Sequence, residues 1–200
     1  KIITTAEGGM ALTNKKDIAD KMSRLRTHGI TKDKSNMKHR PEDEIWNYQQ
    51  IDLGFNYRMN DIQAALGFNQ MSRLEEYVKQ RQKIAKYYDN ELVNLPLTIP
   101  YQSPYVSSSY HLYPILINAK SKFGSQIQIY KELRKKDILV NLHYIPVHRH
   151  PYYEELGFKK GDFPNAEKIF QQIISIPIYP RIKDIQLDYV VSKLKNIFQV

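Results

Sequence analysis

The sequence predicts an α/β fold in which short strands alternate with amphipathic helices. Residues 8–13, GGMALT, are typical of a short strand, and they run directly into a segment with helical punctuation. A second alternation begins near residue 94, where apolar, strand-like runs separate helices with capping signals. Two hundred residues that are 42% apolar can bury one large core or two small ones. We therefore expect folded domains rather than a disordered chain.

The first 51 residues predict one helix and one long loop. Asn14 is a candidate N-cap and Gly29 a stop signal for the helix. Its buried stripe is expected to contain Ile18, Met22 and Leu25, which recur at helical spacing. Residues 30–51 are polar and lack a sustained period, which predicts a long loop.

A long helix, or a bent pair of helices, is expected between residues 59 and 93. Asn60 and Gln63 have the spacing of a capping box at its beginning. Apolar residues recur through this element on one face. The residues expected on that face are Ile62, Leu66, Leu74, Val78, Ile84, Tyr88 and Leu92.

The second half of the chain predicts a small α+β domain. The runs YHLYPILIN and ILVNLHY are typical of strands, and ISIPIY is expected to be extended. Ser125 and Gln128 predict a capping box, and Asp162 as N-cap with Pro164 in the first turn predicts another helix. A final amphipathic helix is expected from Asp184. Its inward-facing residues are predicted to be Leu187, Val191, Leu194 and Phe198.

Composition narrows the classes of partner. An excess of 30 Lys and Arg over 21 Asp and Glu gives a net charge of +9, which favours an anionic partner such as a nucleic acid or a phosphorylated metabolite. The basic residues are scattered, often beside acidic ones, which indicates a solvated surface more than a nucleic-acid face. Without cysteine, disulfides and cysteine nucleophiles are excluded. The sequence has no membrane-span or signal-peptide pattern, so we expect a cytoplasmic protein.

Two stretches contain side chains suited to binding. GFNYRMN places Asn56 and Arg58 just before a helix, where an amide and a guanidinium could bind a phosphate or carboxylate, although an ordinary helix entrance explains the pattern equally well. VNLHYIPVHRHPYY contains three histidines but no carboxylate or thiol. A pocket lined by Asn141, His143 and Tyr144 is therefore favoured over a metal site. The sequence contains no common nucleotide-loop, hydrolase or zinc-protease motif.

Several long stretches, in this order, resemble the DegT/DnrJ/EryC1/StrS family of pyridoxal-phosphate-dependent sugar aminotransferases. They are KIITTAEGGMALTN, LRTHGI, GFNYRMNDIQAALGFNQM, HYIPVHRHPYY and GDFPNAEKIFQQIISIPIYP. The resemblance implies a fold-type I, aspartate aminotransferase-like transferase. It divides the chain into the end of the large domain at 1–58, a connecting helix or helix pair at 59–93, and the small α+β domain at 94–200.

The same resemblance implies a reaction and a set of site residues. The branch that the chain resembles most transfers an amino group to a UDP-linked 4-keto-6-deoxy-N-acetyl hexose in pseudaminic acid synthesis, and L-glutamate is the donor that the resemblance implies. In the family, the lysine before ITTAEGG binds the cofactor covalently, and here that position is Lys1. The family's homodimers share active sites, so Asn56 would reach the neighbour's cofactor or substrate site, with Arg58 beside it. The remaining substrate contacts implied are Asn141, Leu142, His143 and Tyr144, with His148 and Tyr152 at the pocket edge.

The resemblance leaves one gap and two alternatives. No residue here matches the family's phosphate-binding turn or the acid that pairs with the pyridine nitrogen, so we expect the C-terminal half of an enzyme that is inactive alone. One alternative is a nucleic-acid-binding module, motivated by the charge of +9. The other is a sugar dehydratase on the same scaffold, in which histidine replaces the cofactor lysine. Lys1 argues against the dehydratase.

Overall fold

The computed structural model describes residues 1–39, 41, 43–118 and 123–199. The chain forms two compact units, which we call unit 1 (Lys1–Ile2 and Arg73–Val200) and unit 2 (Ile3–Ser72). This division at residue 72 falls inside the connecting element expected at 59–93. The assignment of 1–58 to a large domain and of 94–200 to a small domain concerns a whole enzyme and stays a prediction. Residue 200, the predicted end of the small domain, lies outside the described residues.

Unit 2 contains two helices and a small antiparallel ribbon. Its helices are α1 (Lys16–Arg26) and α2 (Asp61–Met71), and its strands are β1 (Ile30–Thr31) and β2 (Gln49–Gln50), with a short 3-10 helix at Lys34–Asn36. Ile30 lies opposite Gln50 in the ribbon, and Thr31 opposite Gln49. The capping box predicted at the beginning of α2 is confirmed, because the Asn60 side chain accepts a hydrogen bond from the backbone of Gln63 and the Gln63 side chain reaches back to Asn60.

Four predictions for unit 2 are wrong. Residues 8–13, all of which the structure describes, form no strand, because a strand needs a hydrogen-bonded neighbour and these residues have none there. The segment 30–51 is not only a loop, since the β1–β2 ribbon closes it. Helix α1 has Lys15 rather than Asn14 at its N-cap, and it buries none of its residues.

Two glycines allow the backbone to pack closely where α1 ends. Gly29 has a φ of +72°, and a Cβ on it would lie 1.9 Å from the carbonyl oxygen of Asp52. A Cβ on Gly54 would lie 2.1 Å from the Gly29 nitrogen. Neither position therefore has room for a larger residue. This contact brings the segment before Asn56 against the end of α1.

Unit 1 is a three-stranded antiparallel sheet covered by helices. The sheet has the order β3 (Leu97–Thr98), β4 (Tyr113–Ile117) and β5 (Ile173–Ile176). Its helices are α3 (Leu74–Leu92), α4 (Gln126–Lys135), α5 (Pro151–Glu155), α6 (Pro164–Phe170) and α7 (Asp184–Phe198), with a short 3-10 helix at Val147–Arg149. Tyr113 lies opposite Ile176, and Ile115 opposite Ile174.

The core of unit 1 joins helices α3, α4 and α7 to the sheet. The Ser125–Gln128 capping box predicted for α4 is confirmed. The inward face predicted for α7 is also confirmed, as are the last three residues predicted on the face of α3. The largest fully buried side chains are Tyr88, Tyr113, Phe198, Leu92, Ile115, Ile117, Ile129, Leu133, Ile174, Leu194 and Val140.

Other predictions for this part of the chain need correction. Of the two forms expected for residues 59–93, the structure has the helix pair, α2 and α3. Ile62 and Leu66 on α2, which were predicted on the apolar face, are instead exposed. ILVNLHY is not a strand, since only Asn141 forms an isolated bridge, with Ser175. Helix α6 has Phe163 rather than Asp162 at its N-cap, because the Asp162 carboxylate instead accepts a hydrogen bond from the Lys159 nitrogen.

Across the described residues, none of the helices combines the length and apolar character that a membrane crossing requires.

Burial on α7 predicts that two truncations on this helix lower the free energy of unfolding by different amounts. Leu194→Ala should lower the free energy of unfolding by about 2–5 kcal/mol, because the Leu194 side chain is fully buried and its loss leaves a cavity. Ile185→Ala is the matched control, since Ile185 lies on the same helix and is 75% exposed. Urea unfolding followed by circular dichroism measures both. Equal changes for the two variants would contradict the assigned packing of α7.

Candidate functional site

The residues predicted for the site lie in both units. Unit 2 contains the amide and guanidinium candidates that precede α2. Unit 1 contains the candidate cofactor lysine and the segment with the candidate substrate contacts. The unit 2 residues are Asn56 and Arg58; the unit 1 residues are Lys1, Asn141, Leu142, His143 and Tyr144.

The segment with Asn56 and Arg58 is extended and tied to the end of α1. The Phe55 nitrogen donates to the Leu25 carbonyl at 2.7 Å, and the Tyr57 nitrogen donates to the Arg26 carbonyl at 3.0 Å. The rings of Phe55 and Tyr57 stack with centroids 4.9 Å apart, which places them on one side of the segment. Asn56 and Arg58 alternate with these two aromatic residues along the segment. Both are exposed, so their polar ends are available to a ligand.

A cavity of about 1060 Å³ lies in unit 2 and includes Arg58 in its lining. Residues 7–13, Met22, Leu25 and Met59 also line it, and most of these are apolar. The guanidinium can therefore bind an anionic group beside an apolar wall. The sequence patterns identified Arg58, but they did not indicate that residues 8–13 would line a cavity rather than pair in a sheet.

Lys1 and His143 act electrostatically on one partly buried imidazole in unit 1, that of His111. Burial is the main cause that lowers the pKa of His111, and the positive charges of Lys1, Arg81 and His143 lower it further. The Nδ1 atom of His111 is buried, and no hydrogen-bond partner is found for it among the described residues. His111 is therefore neutral at pH 7. Lys1 itself is exposed.

Arg81 is a buried cation that fixes the backbone around His111. Its Nη1 atom donates to the carbonyl oxygens of Tyr110 at 3.0 Å, His111 at 3.2 Å and Ile178 at 3.0 Å. Burial lowers the pKa of Arg81, and the three carbonyl dipoles compensate for part of the lost hydration. The arrangement holds the chain entering β4 next to the chain leaving β5.

Sequence analysis missed both Arg81 and His111, although the sequence contains a signal for each. Arg81 stands at helical spacing before Ile84, Ala85 and Tyr88, so it belongs to the buried face of α3. A charged residue in such a face needs partners, and it therefore marks a polar contact. His111 is the polar residue that precedes the apolar run of β4.

The segment of candidate substrate contacts is attached to β5. The Ser175 nitrogen donates to the Asn141 carbonyl at 2.8 Å, and the Asn141 nitrogen donates to the Ser175 carbonyl at 3.1 Å. His143 Nδ1 lies 2.9 Å from Ser175 Oγ. The rings of His143 and Tyr144 meet edge to face, and Tyr144 is 71% exposed. The structure thus brings together a supported imidazole and an accessible phenol, and Leu142 lies between Asn141 and His143 in sequence.

His148 is engaged in the structure of unit 1 rather than open to solvent. It is buried, and its Nε2 donates to the Glu167 carboxylate at 2.8 Å. The Gly161 nitrogen donates to the same carboxylate at 2.7 Å. The hydrogen bond from His148 is the main cause that lowers the pKa of Glu167, followed by the bond from Gly161. Tyr152, the other residue expected at the pocket edge, is exposed.

Within the described ranges, no three His, Cys, Asp or Glu side chains are grouped closely enough to hold a metal ion.

Comparison with known proteins identifies relatives over nearly the whole chain. The model of the DegT/DnrJ/EryC1/StrS aminotransferase family matches residues 1–195. The uncharacterized protein MJ1066 of Methanocaldococcus jannaschii is 42% identical over 199 residues, which are 98% of this chain and 51% of that protein. UDP-4-amino-4,6-dideoxy-N-acetyl-beta-L-altrosamine transaminase of Campylobacter jejuni is 31% identical over 201 residues, covering all of this chain and 50% of that protein.

Solved structures show the same relation. PseC of Helicobacter pylori, an aminotransferase in the biosynthesis of pseudoaminic acid, matches all of this chain and 51% of its own with a TM-score of 0.84 and 29% identity. The pyridoxal phosphate form of Spr1654, a sugar aminotransferase of Streptococcus pneumoniae, matches all of this chain and 49% of its own with a TM-score of 0.82 and 25% identity. The fold is therefore that of the fold-type I aminotransferases. The chain spans about half the length of the relatives it matches.

The electrostatic coupling within unit 1 predicts how His111 titrates. Its pKa should lie below the ordinary imidazole value of 6.5, and Lys1→Met should raise it towards that value by removing a nearby positive charge. NMR titration of the His111 ring protons measures both. Lys131→Met is the control, because Lys131 is not among the charges that act on His111. A His111 pKa that is unmoved by Lys1→Met, or moved equally by the control, would contradict the proximity of Lys1.

Proposed function

Because this chain belongs to the DegT/DnrJ/EryC1/StrS aminotransferase family, we propose that the whole protein transfers an amino group to a nucleotide-linked sugar. The acceptor is the 4-keto carbon of a UDP-linked 6-deoxy-N-acetyl hexose, and the donor is L-glutamate, as in pseudaminic acid or a related surface glycan. The family match over residues 1–195 is the observation that carries this proposal. The named function of the Campylobacter jejuni relative supports the choice of sugar.

Pyridoxal phosphate is the cofactor of this family, and the chemistry of the residues present fits it. Lys1 offers an exposed primary amine, which suits a covalent bond to an aldehyde. Asn56 offers an exposed amide that can hydrogen-bond the cofactor or the substrate. When bound, the cofactor supplies an electron sink that allows an amino group to be taken from a donor and given to a ketone.

We assign the proton transfers to the Nζ amine of Lys1. With the donor bound, this amine would accept the proton from the donor Cα and return a proton in the second half of the reaction. The neutral imidazole of His111 adds no positive charge beside Lys1 at pH 7. Arg81 supports this role indirectly, because it fixes the carbonyl of His111.

Substrate recognition is assigned to two groups of side chains. In unit 1, the exposed ring of Tyr144 can pack on a sugar or a base, while Asn141 and His143 can hydrogen-bond hydroxyl or phosphate oxygens. In unit 2, Arg58 suits a phosphate or the donor carboxylate. The alternative of a nucleic-acid-binding module has no support in the comparisons, because the matching family is an aminotransferase family and the Campylobacter jejuni relative is named as a transaminase.

We also propose a cytoplasmic homodimer with shared active sites, in which Asn56 and Arg58 serve the partner's Lys1. The 200-residue chain by itself is then expected to be inactive, because it spans about half the length of its relatives and we assign further parts of the site to the rest of the whole protein.

Mixed dimers of full-length variants test the reaction and the shared site together. Lys1→Ala and Asn56→Ala should each abolish or strongly reduce amino transfer from L-glutamate to the keto sugar. When the two chains are mixed at equal amounts and allowed to assort, half of the dimers are hybrids with one intact site of two. The mixture should therefore recover about a quarter of wild-type activity. Activity is measured by chromatography of the aminated nucleotide sugar.

The control mixes wild-type chains with the double variant Lys1→Ala/Asn56→Ala. If sites are shared, both sites of each hybrid are damaged, and about a quarter of the activity of an all-wild-type sample remains; sites within one chain would leave about half. Absence of recovery in the first mixture, with about half the activity in the second, would contradict the shared site. Absence of amino transfer by the wild-type protein with any amino donor and keto sugar would contradict the function.

A further inference from the structure

We propose that Ser175 is a positioning residue that sets the tautomer and orientation of His143 for the nucleotide sugar. The inference rests on the proposed function, because His143 is a proposed substrate contact. It adds a residue of β5 that lies 32 positions away from His143 in sequence and that no motif indicated.

Ser175 is a polar residue in an otherwise apolar, fully buried strand. The other three residues of β5 are isoleucines, and Ser175 itself is only 4% exposed. Burial of a hydroxyl is unfavourable unless the hydroxyl is hydrogen-bonded. A serine at this position therefore needs a polar partner, and His143 Nδ1 at 2.9 Å is that partner.

The backbone of Ser175 orients the same segment. Ser175 lies opposite Pro114 in the pairing of β4 with β5, and proline has no backbone N–H to donate. The backbone groups of Ser175 point the other way, where they form both hydrogen bonds with Asn141. Ser175 thus fixes the chain two residues before His143 and also bonds the His143 ring. Two of these hydrogen bonds hold the backbone of Asn141, and the third holds the His143 ring itself. Together they restrict the rotation of the imidazole.

The hydrogen bonding of the Ser175 hydroxyl determines which nitrogen of the His143 ring carries the proton. A buried hydroxyl has one proton to donate, and no other acceptor for it is found in the part of the chain that the structure describes. Ser175 Oγ therefore donates to Nδ1, which carries no proton in the neutral ring. The single proton of neutral His143 then lies on Nε2. The ring presents an N–H donor, which suits a hydroxyl, carbonyl or phosphate oxygen of the substrate.

Kinetics of the full-length protein test this role. Ser175→Ala should raise KM for the nucleotide sugar roughly 3- to 10-fold, the effect expected for a lost hydrogen bond, and leave kcat within about twofold. Ser175→Thr keeps the hydroxyl and should restore most of the wild-type KM. Ser192→Ala is the matched control, because it removes a hydroxyl that bonds only a carbonyl of its own helix.

A double-mutant cycle distinguishes positioning from general stability. If Ser175 acts through His143, Ser175→Ala should change KM by less than about twofold when His143→Ala is already present. An equal effect of Ser175→Ala with and without His143 would overturn the proposal. The proposal would also be overturned if the single variant Ser175→Ala had the wild-type KM for the nucleotide sugar and the wild-type thermal stability.

The conversion of the cofactor by L-glutamate alone separates this inference from the proposed function. This first half-reaction does not involve the sugar and is followed by the absorbance of the cofactor. We expect it to be unchanged in Ser175→Ala. If the wild-type protein fails it with every amino donor, the proposed function fails. If it succeeds and the KM for sugar is insensitive to Ser175→Ala, only the positioning role fails.

Nitrogen-15 NMR of the His143 ring gives a readout that does not depend on activity. At a pH where His143 is neutral, the shifts should show an unprotonated, hydrogen-bonded Nδ1 and a protonated Nε2. Ser175→Ala should move the Nδ1 shift towards that of a ring without this bond, whereas Ser175→Thr should preserve it. A protonated Nδ1 in the wild-type protein would overturn the tautomer assignment.

Discussion

The buried guanidinium of Arg81 is the interaction on which the arrangement of unit 1 depends. Burying a charge is costly unless strong dipoles replace its hydration, and three backbone carbonyls do so here. These carbonyls come from residues before β4 and after β5, so one side chain of α3 fixes both. The hydroxyl of Tyr88, on the same helix, donates to the Pro177 carbonyl at 2.8 Å and holds the chain after β5 at a second point.

This anchoring places His111, Ser175 and His143 of unit 1 at one end of the small sheet. Arg81 fixes the backbone at His111, whose pKa responds to the charges of Lys1 and His143. Strand β5 in turn carries Ser175, which holds His143. The side chains proposed to touch cofactor and substrate are thus supported by an apolar core with a few buried polar anchors. Such support is what a site needs in order to keep its geometry during a reaction.

Local signals in the sequence predicted several features of the helices correctly, but two of the strand-like runs do not form strands. The two capping boxes and the apolar face of α7 were predictable, because capping and helical spacing involve residues at most four apart. A strand depends on a distant partner. GGMALT and ILVNLHY have strand-like composition, yet the first has no partner strand in unit 2 and the second contributes only a bridge at Asn141.

The sequence likewise did not reveal the distant residues that support the proposed site. Motifs indicated Lys1, Asn56 and His143, but the residues that support them come from elsewhere in the chain. Arg81 and Ser175 are each a polar residue in an apolar pattern, one in a helix face and one in a strand. A search for polar residues that interrupt a buried pattern would have found both, although only the structure identifies their partners.

The most direct test of the central claim, that Lys1 is the residue that binds the cofactor covalently, is chemical. The full-length protein is loaded with pyridoxal phosphate, reduced with borohydride and digested, and the peptides are mapped by mass spectrometry. The account predicts a phosphopyridoxyl group on Lys1, and its loss in Lys1→Ala. Stoichiometric labelling of a different lysine, such as Lys15 or Lys16, with Lys1 unmodified would contradict it.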